Sequence, residues 1–473
     1  MLKKVHFETL GCKLNQIESE SAARAFEENG FSAELKPCTS ACEPDTETVL
    51  CIVNTCTVTT KAEQKARRII RLLLEKFPAS SVLVTGCYAE VEPAEIRAIN
   101  ERVAVLAGKK KDFLVELPAL INKYLSENVT EASAFSPVSF TSFLQSVSDA
   151  SVLKNSVFRL ATDTFKYHSR ASIKIQDGCN NNCAYCRIHF ARGKSVSLAA
   201  EEVLSRVAAL EKAGQAEVVL TGVNLSQYVS KAGEKSFRFA DLLEYLLANT
   251  ERINFRISSL YPDIVDEKLC AIIKSPRVRP HFHLSVQSGS DKILTLMKRP
   301  YNSERVTGAA EMLRKAKPGC FLACDIIAGF PGETDEDFQL TMDVMKKADF
   351  TWIHAFPFSP RPGTEAYSMK PKVPESVSKK RVAVLTEFAE NQKKEYISRL
   401  IGQERAAIVE KRRMPDFRAV TDNFLHIRLE KSPLFDAESL GGKEVLVRID
   451  SVLSARSQTE DVEAMGTVVK PFV

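Results

Sequence analysis

The chain has 473 residues, 44% hydrophobic and 26% charged, the proportions expected of a soluble globular protein with about two to four domains. No run approaches the roughly 20 apolar residues of a spanning helix, and the N-terminal MLKKVHFETLGCK lacks a signal peptide's apolar stretch, so collagenous, disordered and membrane classes fall away and a cytoplasmic protein is expected. The net charge of +5 permits an anionic partner without demanding one, and twelve cysteines in a reducing compartment point to metal or catalysis rather than to disulfides.

Residues 1–125 alternate strands and helices. VHFETL, TVLCIVNT, SVLVTG and VAVLAG read as strands, and SESAARAFEENG as an amphipathic helix stopped by Gly30. A basic helix from Ala62 to Phe77 ends at Pro78. Such alternation predicts an α/β fold with a doubly wound parallel sheet. Residues 126–151, SENVTEASAFSPVSFTSFLQSVSDAS, are serine-rich without a sustained period, so 126–165 is expected to be a linker or surface loop.

From 166 to 400 the alternation resumes. ASIKIQ, AEVVLTG, NFRISS, HFHLSV, CFLACDIIAG and TWIHAFPF are strand candidates with helical patterns between them. They predict a partial (β/α)6 barrel whose functional loops follow the carboxyl ends of its strands. Residues 401–473 carry the short β-rich runs RAAIVE, FLHIRL and KEVLVRID and read as a small all-β barrel.

Cys179, Cys183 and Cys186 stand in GCNNNCAYC, spaced C-x3-C-x2-C just past the ASIKIQ strand. Three thiolates so placed reach three corners of one iron–sulfur cube and leave the fourth iron without a cysteine ligand. A structural zinc site takes four protein ligands, so a zinc loop needs His189 or another group to join. Cys12 (in LGCKLNQ), Cys56 (in NTCTV) and Cys87 (in TGCYAE) each lie just past a predicted strand. Carboxyl ends of parallel strands share one sheet edge, where ligands bind. These three either converge there on a second cluster or are ordinary buried thiols. Cys51, Cys270, Cys320 and Cys324 read as core thiols. His281 and His283 share one face of a strand and are expected to line a substrate cavity. Arg187 and His189, beside the triplet, are expected to face solvent.

C-x3-C-x2-C after the first strand of a βα barrel resembles the signature of radical S-adenosylmethionine (SAM) enzymes, and LTGVNLSQY, SVQSGS and AGFPGET fit the same fold. With the three N-terminal cysteines and the C-terminal β-barrel, the chain resembles the methylthiotransferase family over all but its serine-rich segment. The resemblance implies two 4Fe-4S clusters and SAM as cofactors. One cluster, on Cys179, Cys183 and Cys186, would bind and cleave SAM; the other, on Cys12, Cys56 and Cys87, would serve the sulfur. All six cysteines would be catalytic. Gly222 and Asn224 would contact the amino group of SAM, and Gln287 would line its pocket. The C-terminal barrel resembles the RNA-binding TRAM domain. A low-potential electron donor of flavodoxin or ferredoxin type and a sulfur source are implied as partners, and no membrane.

GCKLNQIESE, IKIQDGCNNNCAYC, HFHLSVQSGSDKIL and FPFSPRPGTEAY look most like the branch that modifies C2 of N6-threonylcarbamoyladenosine beside the anticodon (position 37) of tRNA. The branch acting on N6-isopentenyladenosine has a glutamine–methionine pair where this chain has Lys13-Leu14. The branch acting on a ribosomal-protein aspartate has proline in place of Lys13. Both stand as alternatives. The alternative of another class is a non-catalytic iron–sulfur RNA-binding protein, against which two incomplete triplets argue. The RNA partner rests on the resemblance, because 401–473 carry 11 Lys and Arg against 12 Asp and Glu. Basic character sits instead in Lys61, Lys65, Arg67, Arg68, Arg71 and Lys76, at Lys109–Lys111 and around Lys379–Arg381.

Overall fold

A computed structural model describes residues 3–128, 135–152, 158–162, 165–166, 168–232, 235–411, 417–430, 440–453 and 462–471. Strands Lys4–Thr9, Ser32–Leu35, Thr48–Thr55, Ser81–Gly86 and Val103–Val105 form a parallel sheet in the order second, first, third, fourth, fifth. Thr48–Thr55 is central and buried at every position, so TVLCIVNT reads as a continuous apolar run. Alternate residues serve opposite faces: Leu50 and Ile52 pack with Phe26 of helix Lys13–Glu28, Cys51 and Val53 with Ile70 of helix Thr60–Lys76. The strand order reverses between the first and third strands, and ligands of such sheets collect at the carboxyl edge beside that reversal.

The expected linker is partly a helix. Pro137–Ala150 is α-helical, with the Ser136 side chain accepting from Ser139 N at 3.3 Å. Phe140 and Leu144, four residues apart on one face, are buried in the same core as Leu83 and Ala104. Thr141 Oγ1 donates to Ser81 Oγ at 2.8 Å. Gln145 accepts from Val105 N at 2.9 Å and donates to Val105 O at 3.2 Å, covering the edge strand. Serines conceal the narrow apolar stripe, so only tertiary contacts reveal the helix. Residues 129–134, 153–157 and 163–164 of the expected linker lie outside the described residues. Phe140→Ala should cost about 3 kcal/mol in denaturant unfolding, whereas a linker phenylalanine would cost nothing measurable.

Strands Ala171–Lys174, Glu217–Thr221, Asn254–Ile257, His281–Gln287, Phe321–Ala328 and Trp352–Pro357 follow one another in parallel; a short strand, Ser259–Leu260, continues the third and pairs with the fourth. Helices between successive strands cover the outside. First and sixth strands do not pair among the described residues, so the barrel stays open. Residues on or just past those two strands hold the N-terminal unit. Lys174 pairs with Glu18 at 3.1 Å, and buried Arg361 donates to Thr60 Oγ1 at 3.0 Å and Thr57 Oγ1 at 3.1 Å. After helix Glu375–Ser398, strands Glu404–Val409, Arg418–Thr421, His426–Leu429, Glu444–Val452 and Ala464–Pro471 close a five-stranded barrel.

Candidate active site

Cys12, Cys56 and Cys87 follow the ends of the first, third and fourth strands, and all three line one cavity of about 860 Å³. Two glycines make that convergence possible. Gly11 has φ +107 and Gly86 φ +94, in the region that disfavours a side chain. A Cβ on Gly11 would stand 2.6 Å from Cys56 Cβ, and one on Gly86 would stand 2.6 Å from both Asn54 Oδ1 and Thr55 N. The chain before Cys12 and before Cys87 therefore packs directly on the strand end that carries Cys56. Gly86→Ala is expected to lower stability by about 2 kcal/mol or more, read by thermal unfolding, whereas an exposed glycine of ordinary conformation would tolerate the change.

Asn15 fixes the same corner. Its Nδ2 donates to Leu10 O (2.7 Å) and Thr55 O (3.1 Å), and its Oδ1 accepts from Arg192 Nη2 (2.9 Å). Arg192 lies in a buried charge cluster with Glu18, Lys111, Lys174 and Asp177 that joins the N-terminal unit to the barrel. Arg192 Nη1 reaches Asp177 at 2.9 Å and Glu18 at 3.3 Å, and Lys111 Nζ reaches Glu18 at 2.5 Å. Burial alone would raise the Glu18 carboxyl, but the charges of Lys111, Arg192 and Lys174 hold it down to about 2.

The second triplet lies outside this cavity's lining. Cys179 N donates to Gly193 O at 3.0 Å, folding the loop back on itself. Polar hydrogens point at each sulfur: Asn224 Nδ2 is 3.9 Å from Cys179 Sγ, Arg299 Nη1 3.4 Å from Cys183 Sγ, and Ile188 N 3.4 Å from Cys186 Sγ. Burial pushes the Cys186 thiol, like that of Cys56, up to about 12, and raises Cys87 and Cys179 as well. Burial raises the core thiols Cys51 and Cys320 in the same way, and a bound metal cluster would reverse the effect by stabilising the thiolate. Among the described residues no three His, Cys, Asp or Glu side chains close on a single metal ion. Two groups of three cysteines, the second with N–H donors on each sulfur, suit iron–sulfur cubes, which hold their ligands at separate corners.

Gly222 lines the cavity and its missing side chain leaves room for Gln176, whose Oε1 a Cβ would approach to 2.8 Å. Asn224 stands beside Cys179, its backbone N–H donating to Gln176 Oε1 at 2.8 Å. Gln287 ends the fourth strand at φ +73 and does not line this cavity. His281 and His283 do line it, with Asp325 Oδ2 3.0 Å from His283 Nε2 and the His354 ring tilted against His283 at 5.4 Å between centroids. The C-terminal barrel closes the cavity with Phe424, His426 and Glu463.

Several expectations about charged residues are corrected. Arg187 does not face solvent: it is buried, pairing with Glu92 at 2.8 Å and Glu63 at 3.5 Å. His189 is half-buried, and burial lowers its pKa. Lys111 and Arg381 of the basic runs point inward onto Glu18 and Glu333, whereas Lys61, Lys65, Arg68 and Arg71 are exposed. Arg299 and Arg192 went unnoticed in the sequence, since neither lies in a motif of fixed spacing. Lys174 carried a usable signal, a charge inside the apolar run ASIKIQ.

Residues 173–345 match the Radical SAM superfamily, and residues 4–108 match Uncharacterized protein family UPF0004. A threonylcarbamoyladenosine tRNA methylthiotransferase of Treponema pallidum is 44% identical over 89% of this chain and 94% of its own. A tRNA-2-methylthio-N(6)-dimethylallyladenosine synthase of Vibrio parahaemolyticus is 31% identical over 100% of this chain and 96% of its own. In solved structures, the radical SAM methyltransferase TsrM of Kitasatospora setae shares the fold, with TM-score 0.53 at 16% identity over 78% of this chain and 77% of that one. SAM and a 4Fe-4S cluster are the cofactors of the matched superfamily, and no helix among the described residues is long and apolar enough to cross a membrane. The chain belongs to the radical SAM methylthiotransferase family, with the threonylcarbamoyladenosine tRNA methylthiotransferases.

Proposed function

We propose that this chain replaces the C2 hydrogen of N6-threonylcarbamoyladenosine, beside the anticodon of tRNA, with a methylthio group. The observation that carries this reading is a single cavity shared by Cys12, Cys56 and Cys87 and by side chains of the barrel strands. A sulfur carried at those cysteines would lie in the same cavity as a base held in the barrel. When bound, a reduced cluster with SAM supplies a radical that removes hydrogen from unactivated carbon, which no acid or base of the protein can do.

The chain's own residues bind, orient and shield. Cys179, Cys183 and Cys186 would hold the SAM-binding cluster, with Gly222 and Asn224 at the amino group of SAM; Cys12, Cys56 and Cys87 would hold the other. Gln287 would reach the SAM pocket from outside the described cavity. Trp352, His354 and His283 offer aromatic faces for a base splayed out of its stack. Units 1–125, 166–400 and 401–473 would serve the second cluster, SAM and RNA in turn, with the exposed Lys61, Lys65, Arg68 and Arg71 meeting phosphates. A flavodoxin- or ferredoxin-like donor and a sulfur source would complete the reaction, in the cytoplasm.

The test is an anaerobic incubation of reconstituted protein with SAM, reductant, sulfide and tRNA carrying either N6-threonylcarbamoyladenosine or N6-isopentenyladenosine, followed by mass spectrometry of the nucleosides. A methylthio group on the first nucleoside is the expected result. SAM cleavage with product only on the second would move the chain to the other branch.

A further inference from the structure

Where the N-terminal unit, the open barrel and the C-terminal barrel meet, four cations stand around Glu217, while Glu410 acts on Arg170 and Asp422 on Arg279 from farther off. Lys13, Arg170, Arg256 and Arg279 surround Glu217, and Glu444 adds a second negative charge at Arg279. Arg279 is satisfied, with Glu217 at 2.9 Å and Glu444 as its partners. The other three each keep a donor without a hydrogen bond among the described residues. Arg256, 1% exposed, grips Glu217 through Nε and Nη2 at 2.6 and 2.8 Å, but its buried Nη1 has no hydrogen-bond partner. Arg170 Nη1 stands 3.9 Å from Glu217 and has no hydrogen bond either. Lys13 has no hydrogen-bond or ion-pair partner among the described residues.

These groups converge on the ring of Phe424, which lies 5.5 Å from Lys13 Nζ and 5.1 and 5.3 Å from the guanidinium carbons of Arg170 and Arg256. Phe424 holds a left-handed backbone at φ +74. Lys13, Arg256, Phe424 and His281 all line the cavity that also contains Cys12. His281, buried beside Arg256 and held neutral by burial and that charge, adds no further positive charge, and its Nδ1 has no hydrogen-bond partner among the described residues. Unmet buried donors of one sign are costly and call for an anion.

We propose that the Lys13 ammonium and the Arg256 Nη1 bind the free carboxylate of the threonyl group on the modified adenosine, with Phe424 as the floor of that subsite. This rests on the substrate reading above. The threonylcarbamoyl group joins threonine through its nitrogen, so its carboxylate stays ionised, whereas an isopentenyl group is neutral and leaves both donors unmet. A site built to bind a polar group rejects a partner lacking it far more strongly than an apolar pocket rejects a methyl. An RNA backbone phosphate is the other anion with this chemistry.

The experiment measures affinity of the cluster-loaded protein for an anticodon stem-loop RNA in three forms: the threonylcarbamoyl acid, its carboxamide, and unmodified adenosine. Wild type is expected to bind the acid at least about tenfold more tightly than the carboxamide, as one charge-assisted contact implies. Lys13→Met should lose that preference, with affinity for the unmodified RNA within about twofold. Lys13→Arg, which keeps the cation, should retain it. Iron per chain, measured on the same preparations, shows that the neighbouring Cys12 site is intact. Equal binding of acid and carboxamide by wild type overturns the proposal, whether or not the variants fold. An equal loss for all three RNAs in Lys13→Met assigns the lysine to a backbone phosphate and overturns it too. If wild type makes no methylthio product from the acid form, the substrate reading itself has failed; product with equal binding removes only the carboxylate subsite.

Discussion

A Cys12→Ala chain is expected to fold as stably as wild type, to keep cleaving SAM, and to make no methylthiolated nucleoside. Cys12 is the exposed member of its triplet, and its side chain makes no cap bond to helix Lys13–Glu28. Its longest-range service to the fold is a 3.8 Å contact with Asn15 Oδ1, so removing the sulfur opens no cavity. Cys56→Ala and Cys87→Ala remove buried thiols and should also lower stability, which makes Cys12 the cleaner probe. Loss of product should exceed the roughly hundredfold that removal of an outer-shell partner costs a metal site. Iron should fall from about eight to about four per chain. If Cys12→Ala still forms product at wild-type rate, the N-terminal cysteines are core thiols and the second cluster is wrong. Cys183→Ala gives the converse, with SAM cleavage and product lost together.

The largest loss of stability is expected for Glu217→Gln. Glu217 is 1% exposed at the start of the second barrel strand, a carboxylate shared by Arg256, Arg279 and Arg170. Removing its charge leaves guanidinium groups buried without a counterion, which costs about 3–5 kcal/mol. The pH dependence follows from its pKa. Burial would raise it, but the charge and fork of Arg256, then Arg279 and Arg170, hold it down to about 2 from an ordinary 4.5. A depressed carboxyl stabilises fully above about pH 4.5 and loses that contribution as pH falls towards 2. The difference in unfolding free energy between wild type and Glu217→Gln should therefore be full at pH 7 and shrink between about pH 4.5 and 2, where the wild-type carboxyl itself becomes neutral. A difference that stays constant through that window would show that shape, not charge, makes the glutamate necessary.

Local sequence determined most of the strands, because a strand's burial is written in its residues. TVLCIVNT and SVLVTG match strands Thr48–Thr55 and Ser81–Gly86 residue for residue, and the six barrel runs match six strands to within one or two residues. The capping box of AGFPGETDEDF is equally local: Thr334 and Asp337 bond each other's backbone N–H at 3.2 and 3.0 Å. Short edge elements were not legible. Ser32–Leu35 is half exposed, and Pro137–Ala150 shows its apolar face only against Leu83 and Ala104. The cysteine triplet at 179–186 is readable from spacing because its members share one loop. Cys12, Cys56 and Cys87 are 75 residues from first to last, and only the parallel sheet, with glycines 11 and 86 letting the chain close on Cys56, brings them to one cavity. Charge was the property sequence could least assign. Lys111, Arg187 and Arg381 look like solvated cations, yet each is buried against a carboxylate from a distant segment. Lys13 has the same composition signal and a different fate, a half-buried cation near Glu217 that forms no ion pair among the described residues. The backbone's preferences are set by neighbours in sequence, whereas the partner of a long charged side chain is set by which surfaces the fold presses together.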